Sequence, residues 1–451
     1  MKNDLKKREN WTTRLGFILA AAGSAVGLGN IWRFPFVTGT NGGAAFLFIY
    51  LIAIILIGYP LMVTEMTLGR KTQRNPVGAF KALAPNTPWW LVGGLGVLTG
   101  FVILSYYSVV AGWSLAYIFK ALGGFVPEMA FGEIFTDHIT GVGVPIFWHA
   151  VFMALTIGVI SAGVVKGIQR AVKTLMPILF ILLVVLIIRS LTLDGAGEGL
   201  RFYLSPDFSE VTAQTFMDAI AQAFFTLSLG MGAIITYGSY LSEDANIGDN
   251  AAYVVGLDTL IAVLAGLAIF PALFALTDVD PGAGPGLTFI TLPAVFAEMP
   301  LGSFFGFIFF VLLSIAALTS AISLLEVVVA WAVDEKNIER KKASIVVGII
   351  IFIVGIPPVL GYSTWSDFSF LGFDVLDTYD WIANSIFLPL GGLLTAVFAG
   401  YVWKAKNLQD EANKKSGIIN VGEWYGFLIK IVVPIAIAVV MIVSIVQTFT
   451  G

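Results

Sequence analysis

The chain has 451 residues, of which 58% are apolar and only 12% charged; it has no cysteine and a formal net charge of −4. Soluble domains hold roughly 45–50% apolar and about 25% charged residues. A mean hydropathy of +0.90 therefore excludes a water-soluble enzyme and predicts one all-α membrane domain with about ten to twelve crossings of about 20 residues each. Disulfide and thiolate chemistry are excluded, His138 and His149 alone make no metal cluster, and the net charge implies no nucleic-acid partner.

In chain order, apolar runs between charged or Gly/Pro-rich breaks predict eleven spans at about 14–37, 44–69, 89–123, 143–163, 168–190, 212–240, 250–276, 301–333, 343–361, 377–403 and 423–449. The runs are continuous, which excludes a transmembrane β-barrel. The N-terminal tail and the loops after spans 2, 4, 8 and 10 carry 20 of the 25 basic residues. The positive-inside rule makes that face cytoplasmic, so the N-terminus lies inside and, with an odd number of spans, the C-terminus outside. The acidic loop Ser242–Asp249 falls on the same face and does not support this orientation. The basic start is not read as a signal peptide, because the apolar stretch runs on into Asn30 and Arg33.

Span 1 reads Ala22-Gly23-Ser24-Ala25-Val26-Gly27-Leu28-Gly29-Asn30, and span 6 reads Phe225-Thr226-Leu227-Ser228-Leu229-Gly230-Met231-Gly232. For the first run alone, small-residue helix packing is the ordinary explanation. Two such interruptions at corresponding places in two five-span halves instead predict unwound helices around a transporter binding site. There, half-helix N-termini offer amides to an anion and freed carbonyls offer oxygen to a cation.

Glu65, Asp258, Glu326 and Thr319-Ser320 complete the polar groups of the membrane interior. Intramembrane carboxylates are costly and point to function. Glu65 lies close enough to Arg70 to snorkel, so structural and functional roles both stay open. Asp258 is the stronger functional candidate, Glu326 is read as a hydrogen-bonded structural acid, and Thr319-Ser320 alone would be ordinary bonding to the preceding turn. No nucleotide motif is present, since Gly27-x-Gly29 lacks the strand and spacing of a dinucleotide loop. No nucleophile–base pair suggests an enzyme.

The chain resembles the neurotransmitter:sodium symporter family, in particular its bacterial eleven-span amino-acid transporters. The resemblance is carried by Trp11-x-x-Arg14-Leu15-Gly16, Gly27-Leu28-Gly29-Asn30-Ile31-Trp32-Arg33-Phe34-Pro35, Asn41-Gly42-Gly43, Gly58-Tyr59-Pro60, Glu65, Tyr106-Tyr107, the Phe224–Gly232 stretch, Thr319-Ser320 and Asp334-Glu335. Span 11 matches by position only. The resemblance implies inverted repeats at about 11–190 and 212–404, an extra helix at about 423–449, and a place in the cell membrane.

It also implies a first sodium site from Ala25, Asn30, Thr226, Asp258 and the substrate carboxylate, and a second from Gly23, Val26, Ala316, Thr319 and Ser320. The substrate carboxylate is expected at Leu28, Gly29 and Tyr107, and its amine at Ala25, Phe225, Thr226 and Ser228. Its side chain is expected among Val26, Ile103, Phe225, Met231, Ser320 and Leu324. Tyr107 and Phe225 resemble the aromatic lid, and Arg33 with Asp380 the outer charged gate, with Asp377 a rival for the acid. Arg8 and Asp334, near Trp11, Ser239 and Tyr240, resemble the inner gate. Gly167 and Pro177 resemble the family's point of local unwinding in span 5.

Amine-carrying relatives have an Asp where this chain has Gly27, so the expected substrate brings its own carboxylate. Chloride-dependent relatives have an amide at Asp258, and many chloride-independent ones an acid where this chain has Ala262. The resemblance thus implies sodium-coupled, chloride-independent import of neutral hydrophobic or aromatic amino acids by alternating access. A small neutral amino acid, and an uncoupled channel-like bundle, are the alternatives.

Overall fold

A computed structural model describes residues 9–276, 286–415 and 417–450. Among them the chain is helical throughout, and the only β pairing is one isolated bridge, Phe370 with Phe373. Among the described residues nine helices are long and apolar enough to cross a membrane: Ala44–Thr72, Trp90–Leu122, Gly143–Ser161, Val164–Leu191, Ile247–Leu276, Gly302–Lys336, Arg340–Leu360, Val375–Val402 and Glu423–Thr450. Arg14–Ala25 and Gly29–Thr40 form a tenth if taken together across a 54° bend. The expected span 6 is also divided, into Ala213–Thr226 and Ala233–Gly238 on either side of Leu227–Gly232. Both interruptions fall where the sequence predicts them, and the span numbers are kept below.

Burial separates the centre of the bundle from its rim. The most apolar window of span 8 is 83% buried and that of span 3 is 72% buried, against 22% for span 11. Spans 3 and 8 therefore form the inner wall against which the broken spans pack, and span 11 lies outside against span 10.

The ends of the spans are tied by polar groups too deep for water to serve. Arg70, at the end of span 2, is fully buried. Its Nη1 donates to the Ala245 carbonyl at 2.5 Å, and its Nη2 pairs with the Glu411 carboxylate at 3.1 Å and with the Glu411 carbonyl. One planar guanidinium thus holds the span 6–7 loop and the short Ala405–Ala412 helix together. Asp249 does similar work at the start of span 7, accepting from the amides of Ile418 and Ile419.

Breaking a buried pair strands its partner. Arg70→Ala is expected to lower stability by about 3 kcal/mol, and Arg70→Lys to restore less than half, because an ammonium cannot serve both loops in one plane. Thermal unfolding of the detergent-solubilised protein measures both; an unchanged melting temperature for Arg70→Ala would show that the two loops hold without it.

Candidate functional site

The two breaks face each other, and each frees backbone groups for the other to use. In a continuous helix the Leu28 amide would donate to the Ser24 carbonyl; here it donates to the Tyr107 hydroxyl at 3.2 Å. The Ser24 carbonyl accepts instead from the hydroxyls of Ser228, at 2.9 Å, and Ser320, at 2.8 Å. The Asn30 amide turns back to the Gly27 carbonyl, so the Val26 carbonyl meets the hydroxyls of Thr319 and Ser320, each at 3.3 Å. In span 6 the Gly230 amide, which would have served Thr226, donates to Glu65 Oε1 at 2.7 Å. Glu65 therefore props the second break open.

Local chain chemistry allows these shapes. Gly230 has φ 79° and Gly232 φ 75°, in the left-handed region that glycine enters freely. A β-carbon on Gly230 would also lie 2.4 Å from the Leu388 carbonyl. Ser228 takes φ 54° without glycine's freedom, and its side chain is held by the Ser24 bond. Gly27 sits where a β-carbon would lie 2.3 Å from Ser320 Oγ and 2.9 Å from Tyr107 Oη.

The space between the breaks is lined by Ala25, Leu28, Gly29, Ile103, Tyr107, Phe225, Thr226, Ser228, Met231, Ser320 and Leu324, all predicted, and also by Ser24 and Gly27. Val26, predicted as a lining residue, contributes its carbonyl to the neighbouring oxygen cluster. Its lining combines polar backbone and hydroxyl groups with the apolar side chains of Ile103, Met231 and Leu324, and Met231 and Leu324 approach span 3 together at Gly100. Among these lining residues no side chain is charged.

Two groups of oxygen atoms flank the cavity. In the first, Asn30, Thr226 and Asp258 converge, all fully or almost fully buried. Asn30 Nδ2 lies 2.8 Å from Asp258 Oδ1, and Thr226 Oγ1 lies 3.3 and 3.2 Å from the two Asp258 oxygens. In the second, Thr319 Oγ1 is 3.0 Å from the Ala316 carbonyl and shares the Val26 carbonyl with Ser320. Gly23 backs this group, packed against Thr319 and against Met176 of span 5. Both sets offer hard oxygen ligands without sulfur, which suits an alkali or other hard cation.

On one side of the cavity, Phe225 lies over Gly29, and the Arg33 guanidinium carbon stands 4.6 Å from the Phe225 ring centre. Arg33, Phe225 and Asn384 line a further cavity beyond it, and Asn384 donates to Asp380 Oδ1 at 2.6 Å. Asp380 is tied to this cavity through Asn384, and the backbone amide of Asp377 donates to Asp374 Oδ1 at 2.8 Å. Arg33 and Asp380 do not come within 4 Å of each other as an ion pair.

On the opposite side, Trp11 Nε1 donates to the Tyr237 carbonyl and its amide to the Tyr240 carbonyl, both at 3.0 Å. Asp334 accepts from the Asn75 amide at 3.0 Å. Arg8 lies outside the described residues. The structural reading of Glu326 matches its surroundings: it is ion-paired with Arg340 and accepts from Tyr240 at 2.5 Å. Sequence reasoning missed Arg340 as its partner, and missed Gln222, whose Nε2 donates to the Gly29 carbonyl at 3.0 Å.

The sequence profile of the sodium:neurotransmitter symporter family matches residues 8–138 and 128–450. The sodium-dependent transporter YhdH of Bacillus subtilis is 42% identical over 445 residues, covering 97% of this chain and 98% of its own. The sodium-dependent transporter MJ1319 of Methanocaldococcus jannaschii is 35% identical over 455 residues, covering 96% and 90%. The crystal structure of MhsT in complex with L-phenylalanine superposes with a TM-score of 0.89 at 48% identity, covering 97% of this chain and 100% of that one. With two facing helix breaks, flanking oxygen clusters and a family match over nearly the whole chain, this protein belongs to the sodium:neurotransmitter symporter family, as a multi-pass, sodium-dependent membrane transporter.

Proposed function

We propose that the protein is a sodium-coupled symporter that imports neutral amino acids with hydrophobic or aromatic side chains by alternating access. The observation that carries this reading is one cavity with no charged side chain in its lining, which joins freed backbone and hydroxyl groups to the apolar side chains of Ile103, Met231 and Leu324. An α-amino acid joins the matching groups. Its carboxylate would meet Leu28, Gly29 and Tyr107, its amine the carbonyl and hydroxyl oxygens at Ala25, Phe225, Thr226 and Ser228, and its side chain the apolar residues. A charged side chain would be stranded there at a prohibitive desolvation cost. The complex of MhsT with L-phenylalanine supports the same class.

In this reading Ala25, Asn30, Thr226, Asp258 and the substrate carboxylate hold one sodium ion, and Gly23, Val26, Ala316, Thr319 and Ser320 a second. Binding drives the cycle to the extent that the ions favour one conformation over another. Phe225 and Tyr107 form the lid, Arg33 with Asp380 closes the outer side, and Arg8 with Asp334 the inner side. Counting each broken helix once gives eleven spans, with repeats at about 11–190 and 212–404 and an extra helix at about 423–449. The basic loops then put the N-terminus in the cytoplasm and the C-terminus outside. The carboxylate of Asp258 supplies beside the first sodium the negative charge that chloride supplies in chloride-dependent relatives.

Uptake by proteoliposomes tests the reading. Labelled leucine is expected to accumulate against its gradient only with sodium outside, and to accumulate equally when gluconate replaces chloride. Equilibration without accumulation would mark an uncoupled bundle, and loss of uptake in gluconate would remove the role given to Asp258.

Gly27→Ala, which puts a methyl group against Ser320 and Tyr107, is expected to weaken uptake at least about tenfold and also to lower the melting temperature, because both hydroxyls hold released backbone groups of span 1. Equal uptake by this variant would mean the substrate lies elsewhere.

Met231, unbranched and mobile, suits a tolerant pocket. Tryptophan, tyrosine and phenylalanine should compete with leucine, and Met231→Phe should shift preference toward smaller aliphatic residues by about 1–3 kcal/mol. Strong competition by glycine or alanine alone would instead assign a small-residue transporter.

A further inference from the structure

We propose that Phe131–Thr140, the short helix between spans 3 and 4, is a proton-operated latch: protonation of His138 undocks it from span 3 and from the Leu287–Thr291 segment between spans 7 and 8. The helix buries Phe131, Phe135 and His138, which are four and three residues apart and so share one face. Glu133, Thr136 and Asp137 are exposed. Phe131 packs against Phe125, and Phe135 stacks on Phe289 with ring centres 5.4 Å apart and planes 1° from parallel. Phe289 in turn meets Trp113 and Tyr117 of span 3 and Phe310 of span 8. His138 is the third anchor, set edge-to-face with Tyr117 at 6.1 Å between ring centres.

Only the neutral imidazole suits that position. His138 is 5% exposed. Its Nε2 is buried without a hydrogen-bond partner, and so is the Tyr117 hydroxyl, so the two do not bond to each other. Lys120 Nζ already stands 5.6 Å from the centre of the Tyr117 ring. An imidazolium would be a second cation beside one aromatic ring, and like charges brought together out of water repel strongly.

No packed neighbour supplies a counter-charge. The helix rests on Leu287–Thr291, on Ile356–Leu360 and on span 4. The first two hold no titratable residue, and span 4 holds only His149, which is engaged with the Phe352 carbonyl. Span 3 presents Tyr117 and Lys120, and the nearby acids Glu128, Glu133 and Asp137 are exposed. Burial, reinforced by Lys120, lowers His138 from the ordinary 6.5 to about 4. The sign follows: the docked state is favoured above the released value of 6.5 and is progressively lost as the pH falls toward 4. The topology proposed above puts this latch on the outer face, but docking itself does not depend on that reading.

Hydrogen exchange of the full-length protein in neutral detergent tests the latch without any transport measurement. Each rate is divided by the intrinsic rate at its own pH. Protection of 131–140 and 287–292 is expected to fall together, by up to about thirtyfold from about pH 7.5 to about pH 5. His138→Phe, which fills the same place, and His138→Gln are expected to stay protected at both pH values, with the melting temperature reporting that each is folded. The same acid-induced loss in both variants, unchanged protection in the unsubstituted protein, or loss in 131–140 alone would each overturn the proposal. So would an equal loss across 100–112 of span 3, which would mark general acid unfolding.

Discussion

A backbone amide or carbonyl released from its helix inside a bilayer has no water to bind, and each one left unpaired costs several kcal/mol. That constraint organises the centre of this protein. Two helices are broken where they face each other, and the groups they release are met by side chains: Tyr107 for the Leu28 amide, Glu65 for the Gly230 amide, Gln222 for the Gly29 carbonyl, and Ser228 with Ser320 for the Ser24 carbonyl. The two breaks share partners, because one of the two hydroxyls on the Ser24 carbonyl, that of Ser228, comes from the unwound segment of span 6.

The same arrangement explains why function and structure share residues here. Ser320 bonds carbonyls of span 1 and also lines the cavity; Thr226 is both the last residue of a half-helix and a neighbour of Asp258. A cation entering either oxygen cluster would compete with hydrogen bonds that hold the breaks together, and would so act on the relation between spans 1, 6, 7 and 8. Phe225 extends that relation outward, covering Gly29 on one side and stacking with Arg33 on the other. On the opposite side the Tyr240, Glu326 and Arg340 network joins the end of span 6 to spans 8 and 9.

Much of this was legible from residue type and spacing. The long apolar runs marked the spans to within a few residues, because hydrophobic length is set by the bilayer rather than by tertiary contacts. The clustered glycines and hydroxyls marked both breaks because they recur at corresponding places in two spans, which small-residue helix packing alone does not require. What stayed hidden depends on partners distant in sequence. The Arg340 partner of Glu326 and the short Pro76–Leu83, Phe131–Thr140 and Ala405–Ala412 helices are fixed by packing at the span ends. Ser24 was missed as a lining residue because its contribution is a carbonyl, and every residue type has one.

The central claim is that the two breaks form one site whose released backbone groups are completed by sodium and substrate together. Hydrogen exchange of the reconstituted protein, followed by mass spectrometry over segments 22–32 and 225–235, tests it most directly. The account predicts that sodium with L-phenylalanine slows exchange in both segments together, and that potassium with the same amino acid does not. Protection of one segment alone, or identical exchange in sodium and potassium, would contradict it.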